Sequence, residues 1–359
     1  MTGSQSSLRN VISGFVLRLA RETAEPPMSR DQLAAMLGVS TDTVAGWEAG
    51  RRPLSATQAS QVVAIRHCLI RSNARPDLVS LIEQAIEADL IIDFAISAGN
   101  KFRPGDVHPL GSWVLRRELV DLIAWPLSTR VPAGLPTPTR RGPTPMRPAL
   151  DAGSRIRFFD HLRHVVDITL ATPDVLLRRQ ALYLLSFDAR SDARGFLVAH
   201  RGRLPQGLDG WSSSWPAARS LAASITRRGD RTLLLDFISR GLADEQSQIA
   251  NLNYWAYWVG EDRFTQRDDS FMGSGLGNWR GDILLRHLMD RLDPDLGYLE
   301  LNIHTLWALL GARPRLLGEQ PGVTAELTEK VERLLDENPE SSQALAELNA
   351  LRYALRLHR

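Results

Sequence analysis

Apolar positions along this chain recur three and four residues apart, the spacing of a helix that buries one face. In residues 8–24 they are Leu8, Val11, Ile12, Phe15 and Leu19, which predicts a first helix ended by Pro26 and Pro27. Ser29 is placed to cap a second helix, and Gln32 completes a capping-box pattern with it. That helix should stop at Gly38. A third begins after Ser40, and a fourth runs from about Ser55 to Ile70, with Val62, Val63, Ile65 and Leu69 as candidate buried positions. Pro76 suits the first turn of a further helix over residues 76–98. The segment 111–127 reads as helical until Pro126.

The periodicity then breaks. Residues 128–153 hold many prolines, no aromatic residue and no repeat of apolar positions, so they should be extended or mobile. From about Ser154 the helical spacing resumes, over 155–171, 173–187, 189–200, 216–228, 230–241, 244–260, 280–292, 296–311, 323–337 and 341–357. Pairs of these segments recur every 35–45 residues or so, the unit size of helical-hairpin arrays. The expected fold is therefore all-α: a short-helix N-terminal domain (1–75), a helical connector (76–127), a Pro-rich basic linker (128–153) and an α-helical repeat, solenoid-like domain (154–359). A compact bundle of the same helices is the alternative.

Composition narrows the class of protein. The 359 residues are 43% hydrophobic and 23% charged, as in ordinary soluble globular proteins, and are enough for more than one core. A single cysteine, Cys68, excludes an internal disulfide framework and a multi-cysteine zinc site. No apolar run reaches 18 residues and the N-terminus lacks the apolar core of a secretory signal, so a cytoplasmic protein without a membrane anchor is expected.

The net charge of +2 is unevenly spread. Residues 1–75 contain Arg9, Arg18, Arg21, Arg30, Arg51, Arg52, Arg66, Arg71 and Arg75 against Glu22, Glu25, Asp31, Asp42 and Glu48, whereas residues 320–359 are acid-rich. This polarity suits an N-terminal region that faces a polyanion. Arg130, Arg140, Arg141 and Arg147 in the linker either serve solubility or touch phosphates or an acidic partner.

The segment 29–53, SRDQLAAMLGVSTDTVAGWEAGRRP, carries the strongest pattern. Gly38 allows the positive φ of a sharp turn between two helices. Ser40 can cap the second helix, Val44 and Trp47 share one face of it, and Gly50 with Pro53 ends it. With Leu33 and Ala34 in the first helix and Glu48 before Gly50, the segment resembles the Xre or phage-repressor-like helix-turn-helix family. That resemblance implies contact with double-stranded DNA, nucleoid association, and entry of Thr41, Asp42, Thr43 and Gly46 into the major groove. Arg30 stands where the family usually has Gln. Arg30, Ser40, Arg51 and Arg52 are then candidate phosphate contacts. Thr41, Asp42, Thr43 and Gly46 include no Gln, Asn or Arg, the residues that grip purines bidentately.

Other clusters are weaker. Asp160, His161, His164 and Asp167 share two helical turns, but no second cluster completes a metal shell, so a polar surface stripe is expected and no metal. Tyr254, Trp255, Tyr257 and Trp258 crowd one and a half turns, which marks either a core or a ligand pocket. The Gly-rich stretch 268–282 beside them, with Trp279, is either a mobile gate or a connector, and lacks the Lys-Ser/Thr of a phosphate loop. No catalytic constellation and no cofactor motif stands out, so the chain is not expected to be an enzyme.

Taken together, these features predict a homodimeric DNA-binding transcription regulator whose C-terminal helices sense a small-molecule or peptide effector. The architecture resembles regulators with tetratricopeptide-type sensor domains. The alternative is a helical protein-interaction scaffold for which the helix-turn-helix is only a DNA tether.

Overall fold

The computed structural model describes residues 10–128, 131–136, 145–202, 210–319, 321–337, 339 and 341–357. Among the described residues there are 17 α-helices and no strand. None of these helices is long and apolar enough to cross a membrane. The chain divides into two compact units: Met1–Pro109 with Glu118–Thr172 and Phe187–Ala189, and Leu110–Arg117 with Pro173–Ser186 and Arg190–Arg359.

The first unit holds α1 (Val11–Glu22), α2 (Arg30–Leu37), α3 (Thr41–Glu48), α4 (Ala59–Arg71), α5 (Pro76–Ala98), most of α6 (Arg117–Ala124) and α7 (Ala152–Ile168). Helix α1 is not the one-sided helix its apolar stripe suggests, because every residue from Ile12 to Arg21 is buried. It packs against α3 on one side and α5 on the other. The approach of α3 depends on Gly14: a Cβ there would overlap the carbonyl oxygens of Trp47 and Glu48. Helix α5 presents Leu78, Ile82, Ala85, Ala88, Ile92 and Ala95 as one buried face, and its small residues let the two helices lie close.

Domain limits drawn from composition do not coincide with these units. The segment taken as a connector contributes α5, whose apolar face is covered by α1, and α7 packs on α5 rather than opening the second unit. The described ends of the Pro-rich linker are also held. Pro145 accepts a hydrogen bond from Arg18 Nη1 (2.9 Å), Gly134 one from Arg75 Nη2 (3.2 Å), and Ser128 one from Arg147 Nη1 (3.2 Å). Arg9, Arg130, Arg140 and Arg141 lie outside the described residues.

Several helices are shorter than their patterns, and two show why. The segment 111–127 is helical only from Arg117 to Ala124. Before it, the Val114 N–H donates to the Gln266 carbonyl (2.8 Å) and the Leu115 N–H to Gln180 Oε1 (2.6 Å), so these amides are held outside any helix. Helix α4 starts at Ala59, after a 3₁₀ turn at Leu54–Ala56. Only Ile65 and Leu69 of its expected core positions are buried; Val62 is half-buried, and Val63, rotated off that face, is 45% exposed.

The second unit is built from α8 (Val175–Leu185), α9 (Ala193–Arg201), α10 (Trp215–Thr226), α11 (Thr232–Asp236), α12 (Glu245–Trp258), α13 (Asp282–Met289), α14 (Leu299–Ala312), α15 (Leu316–Glu319), α16 (Pro321–Asp336) and α17 (Ser342–Leu357). Helix α11 continues into a π turn at Phe237–Gly241. Helix α10 packs on α8, α14 on α12 and α17, and α16 on α17. Asp244 caps α12 by accepting the Ser247 N–H at 2.9 Å.

Candidate nucleic-acid interface

Helices α2 and α3 start and stop on local signals. The Ser29 side chain accepts the Gln32 N–H at 3.1 Å while Gln32 Oε1 accepts the Ser29 N–H at 2.7 Å, the reciprocal capping box read from the sequence. Gly38 ends α2 with φ of 66°. Ser40 Oγ then caps α3 by accepting the Thr43 N–H at 3.1 Å. Leu33, Ala34, Val44 and Trp47 are all buried, so the pair of helices is fixed by an apolar seam between two capped ends.

A buried charge cluster locks this pair to α1. Glu48 Oε1 accepts from Arg21 Nε at 2.5 Å, and Glu48 Oε2 from Arg30 Nε at 2.6 Å and Arg21 Nη2 at 3.2 Å. Arg21 also donates to the Met28 carbonyl at 2.6 Å. Burial of a carboxylate is tolerated when it is paired and hydrogen-bonded, as here. Arg30, expected to meet phosphate, therefore has its Nε engaged, and its side chain stays 42% exposed. The role of Glu48 had a signal in the sequence: it lies four residues after Val44, on the same buried face.

The first turn of α3 is wired differently from expectation. Thr41 and Asp42 are exposed and Thr43 is half-exposed. The Thr41 hydroxyl donates to Asp31 Oδ1 at 2.5 Å. Thr43 Oγ1 accepts from Arg52 Nη1 at 2.7 Å and lies 2.9 Å from Ser40 Oγ. Arg52 Nη2 donates to Asp42 Oδ2 at 3.0 Å, and Arg51 Nη2 stands 3.7 Å from Asp42 Oδ1. Gly46, placed by sequence on the exposed face, is buried, because the Arg52 Cγ and Cδ atoms lie over it. Ser40, Thr41, Asp42, Thr43, Arg51 and Arg52 thus share one surface, with Gly46 beneath it and Arg30 turned toward Glu48. Asp31 and the bridging role of Arg52 were not legible, since all three bonds join residues nine or ten positions apart.

The aromatic cluster of the second unit is mostly core. Tyr254, Trp255 and Tyr257 are buried and Trp258 is half-buried. The Tyr257 hydroxyl donates to the Val114 carbonyl at 2.5 Å. The Arg219 guanidinium carbon lies 3.9 Å from the Tyr254 ring centre. Burial pushes the Tyr254 phenol up and draws the Arg219 guanidinium down from their ordinary values. Trp279 lines a cavity of about 520 Å³ with Phe264, Phe271 and Asn253, whereas Tyr254, Trp255, Tyr257 and Trp258 do not.

The Gly-rich stretch is pinned by Asn253, a residue the sequence did not single out. Asn253 Nδ2 donates to the Met272 (3.1 Å) and Gly275 (2.6 Å) carbonyls, and its Oδ1 accepts from Gly277 N (2.9 Å) and Trp279 Nε1 (3.0 Å). Such anchoring argues for a fixed connector and against a gate.

His161 and His164 are held by protein groups. His161 Nδ1 donates to the Gly99 carbonyl at 2.6 Å, which leaves its Nε2 to accept from His108 Nε2 at 2.9 Å; His164 Nε2 donates to the Phe102 carbonyl at 2.9 Å. Burial draws His108 down to about 3 and His161 below its usual range. Among the described residues, no group of three or more His, Cys, Asp or Glu side chains is placed to hold a metal. Comparison with known proteins finds no matching family model, no matching curated sequence and no matching solved structure.

Proposed function

We propose that this chain is a transcription regulator that binds double-stranded DNA through α2 and α3, with the second unit as an effector- or partner-receiving helical-repeat domain. One observation carries the reading: the solvent-facing first turn of α3 and the two arginines after it form one surface, on a helix pair capped by Ser29 and Ser40 and braced by Glu48. An exposed helix start beside guanidinium groups suits entry into the major groove with phosphate contacts alongside. The helix-turn-helix resemblance of residues 29–53 supports it. In this reading two copies act as a homodimer, because half-sites one DNA turn apart call for two α3 helices. The cavity beside Trp279 is then the candidate effector site, and the protein works in the cytoplasm on the nucleoid.

The test is fluorescence anisotropy of the full chain on labelled genomic duplexes across a salt series. Binding should weaken log-linearly with salt, and the double variant Arg51→Ala, Arg52→Ala should lower affinity about tenfold or more at each salt concentration. Absence of binding at low salt, or an unchanged affinity in a folded double variant, overturns the reading.

A further inference from the structure

Within that DNA-binding reading, we propose that Asp42 and Arg51 act together as a composite reader of a single C·G base pair, with Arg52 as the residue that positions Asp42. The hydrogen bonds of α3 leave few other groups for the task. The Thr41 hydroxyl is donated to Asp31, and Thr43 Oγ1 is engaged by Arg52 and Ser40. Arg52 spends one Nη on Thr43, the other on Asp42, and its stem on Gly46. What remains is the outer side of the Asp42 carboxylate, the methyl groups of two threonines, and Arg51. The Arg51 side chain is 57% exposed and that of Asp42 is 64% exposed; at 3.7 Å the two are neighbours without a hydrogen bond that would hold Arg51 back.

The chemistry of the pair selects its partner. A carboxylate only accepts and a guanidinium only donates. In the major groove a C·G pair presents the cytosine N4 amino donor directly beside the guanine O6 and N7 acceptors. Asp42 matches the first and Arg51 the other two, in that order. An A·T pair places the adenine N6 donor between its two acceptors, N7 and O4, so a two-pronged guanidinium there meets a donor. The arrangement also accounts for an acid on a surface meant for a polyanion. Asp42 is carried between two arginines, and the trio has a formal charge of +1, so the carboxylate enters the groove without net repulsion from phosphate.

The experiment recovers bound sequences from a randomised duplex pool with the full chain, as wild type, Asp42→Asn and Arg51→Ala. Affinities for single-base variants of the wild-type site are then measured at one salt concentration. Wild type should require C·G at one position of each half-site, and T·A there should weaken binding about tenfold or more. Asp42→Asn should shift that position toward adenine, whose N6 and N7 a carboxamide grips, and Arg51→Ala should lose preference there while keeping the rest of the site. Uniformly tighter binding by Asp42→Asn with unchanged base preferences would make Asp42 a mere competitor for phosphate and overturn the inference, leaving DNA binding intact. If wild type retains no duplex at low salt, the DNA-binding reading itself falls, and this inference with it.

Discussion

The carboxylate of Asp89, in the middle of α5, closes the first turn of α1 at Ser13. Asp89 Oδ2 accepts both the Ser13 N–H at 2.8 Å and the Ser13 hydroxyl at 2.6 Å, while Oδ1 accepts the Ile12 N–H at 3.1 Å. Asn10, the residue before α1, supplies no side-chain cap, so a group 76 positions away does the work of a local one. When ionised, the group also faces the positive end of the helix dipole, which offsets part of the burial that favours its protonated form. Because α1 is the helix on which α3 rests, this contact underlies the whole candidate interface.

Asp89→Ala strands two backbone donors and a hydroxyl in the interior, and should lower the stability of the first unit by about 3 kcal/mol. Chemical denaturation followed through the buried Trp47 and Trp125 reads it. A loss below about 1 kcal/mol would mean that water replaces the carboxylate.

Opposed shifts shape the pH dependence of the first unit: His108, with His161 moved the same way, against Asp89. Burial lowers His108 from 6.5 to about 3, so its neutral form contributes stability that is complete above 6.5 and lost as pH falls toward 3. Burial raises Asp89 from 3.8 to about 7 against the pull of its three donors, so its contribution is complete below 3.8 and lost as pH rises through 7. Between 3.8 and 6.5 the two slopes oppose each other. Asp89→Asn removes one of them, and stability should then fall on acidification more steeply than in wild type, by up to about 1.4 kcal/mol per pH unit. Parallel profiles for the two proteins would show that Asp89 stays ionised throughout.

Loss of Glu48 should cost far more than loss of one of its partners. Glu48→Ala takes the two close carboxylate bonds from the buried Arg21 guanidinium and leaves only Glu22 at 3.5 Å, a change worth about 3 kcal/mol. Arg30→Ala removes a side chain that is 42% exposed, and should cost about 1 kcal/mol or less. Equal effects in denaturation would contradict this hierarchy.

Gly14→Ala is a small substitution with a large expected effect, since its methyl group meets the Trp47 and Glu48 carbonyls. Helix propensity alone favours alanine by about 1 kcal/mol. Overpacking against rigid backbone should reverse that sign and destabilise by about 2 kcal/mol or more. A variant more stable than wild type would show that α1 and α3 can part without cost.

Asn253→Ala removes four hydrogen bonds from the stretch between Met272 and Trp279. Amide exchange at Gly277 and proteolytic cleavage within 272–279 should both accelerate, while α12 itself remains protected. Unchanged exchange at Gly277 would place the anchoring of this stretch elsewhere.

Residues 29–53 and the start of α5 were legible because their determinants are local. Ser29, Gln32, Gly38, Ser40 and Pro76 act on backbone groups within about four positions, and nothing distant competes with them. The helical spacing likewise determined an all-helical chain. Sequence could not say what each buried face meets. Nothing local marks Asp89 as a cap, because its partners Ile12 and Ser13 lie more than 70 positions away. Gly46 reads as exposed until Arg52 folds over it, and Arg30 as a phosphate contact until Glu48 engages it. The same reason moved the domain limits: α5 and α7 bury their faces within the first unit, and residues 110–117 are bonded into the second. Local chemistry set where helices begin and end; tertiary structure decided which charges are paired and which stay exposed, because pairing depends on partners brought together only by folding.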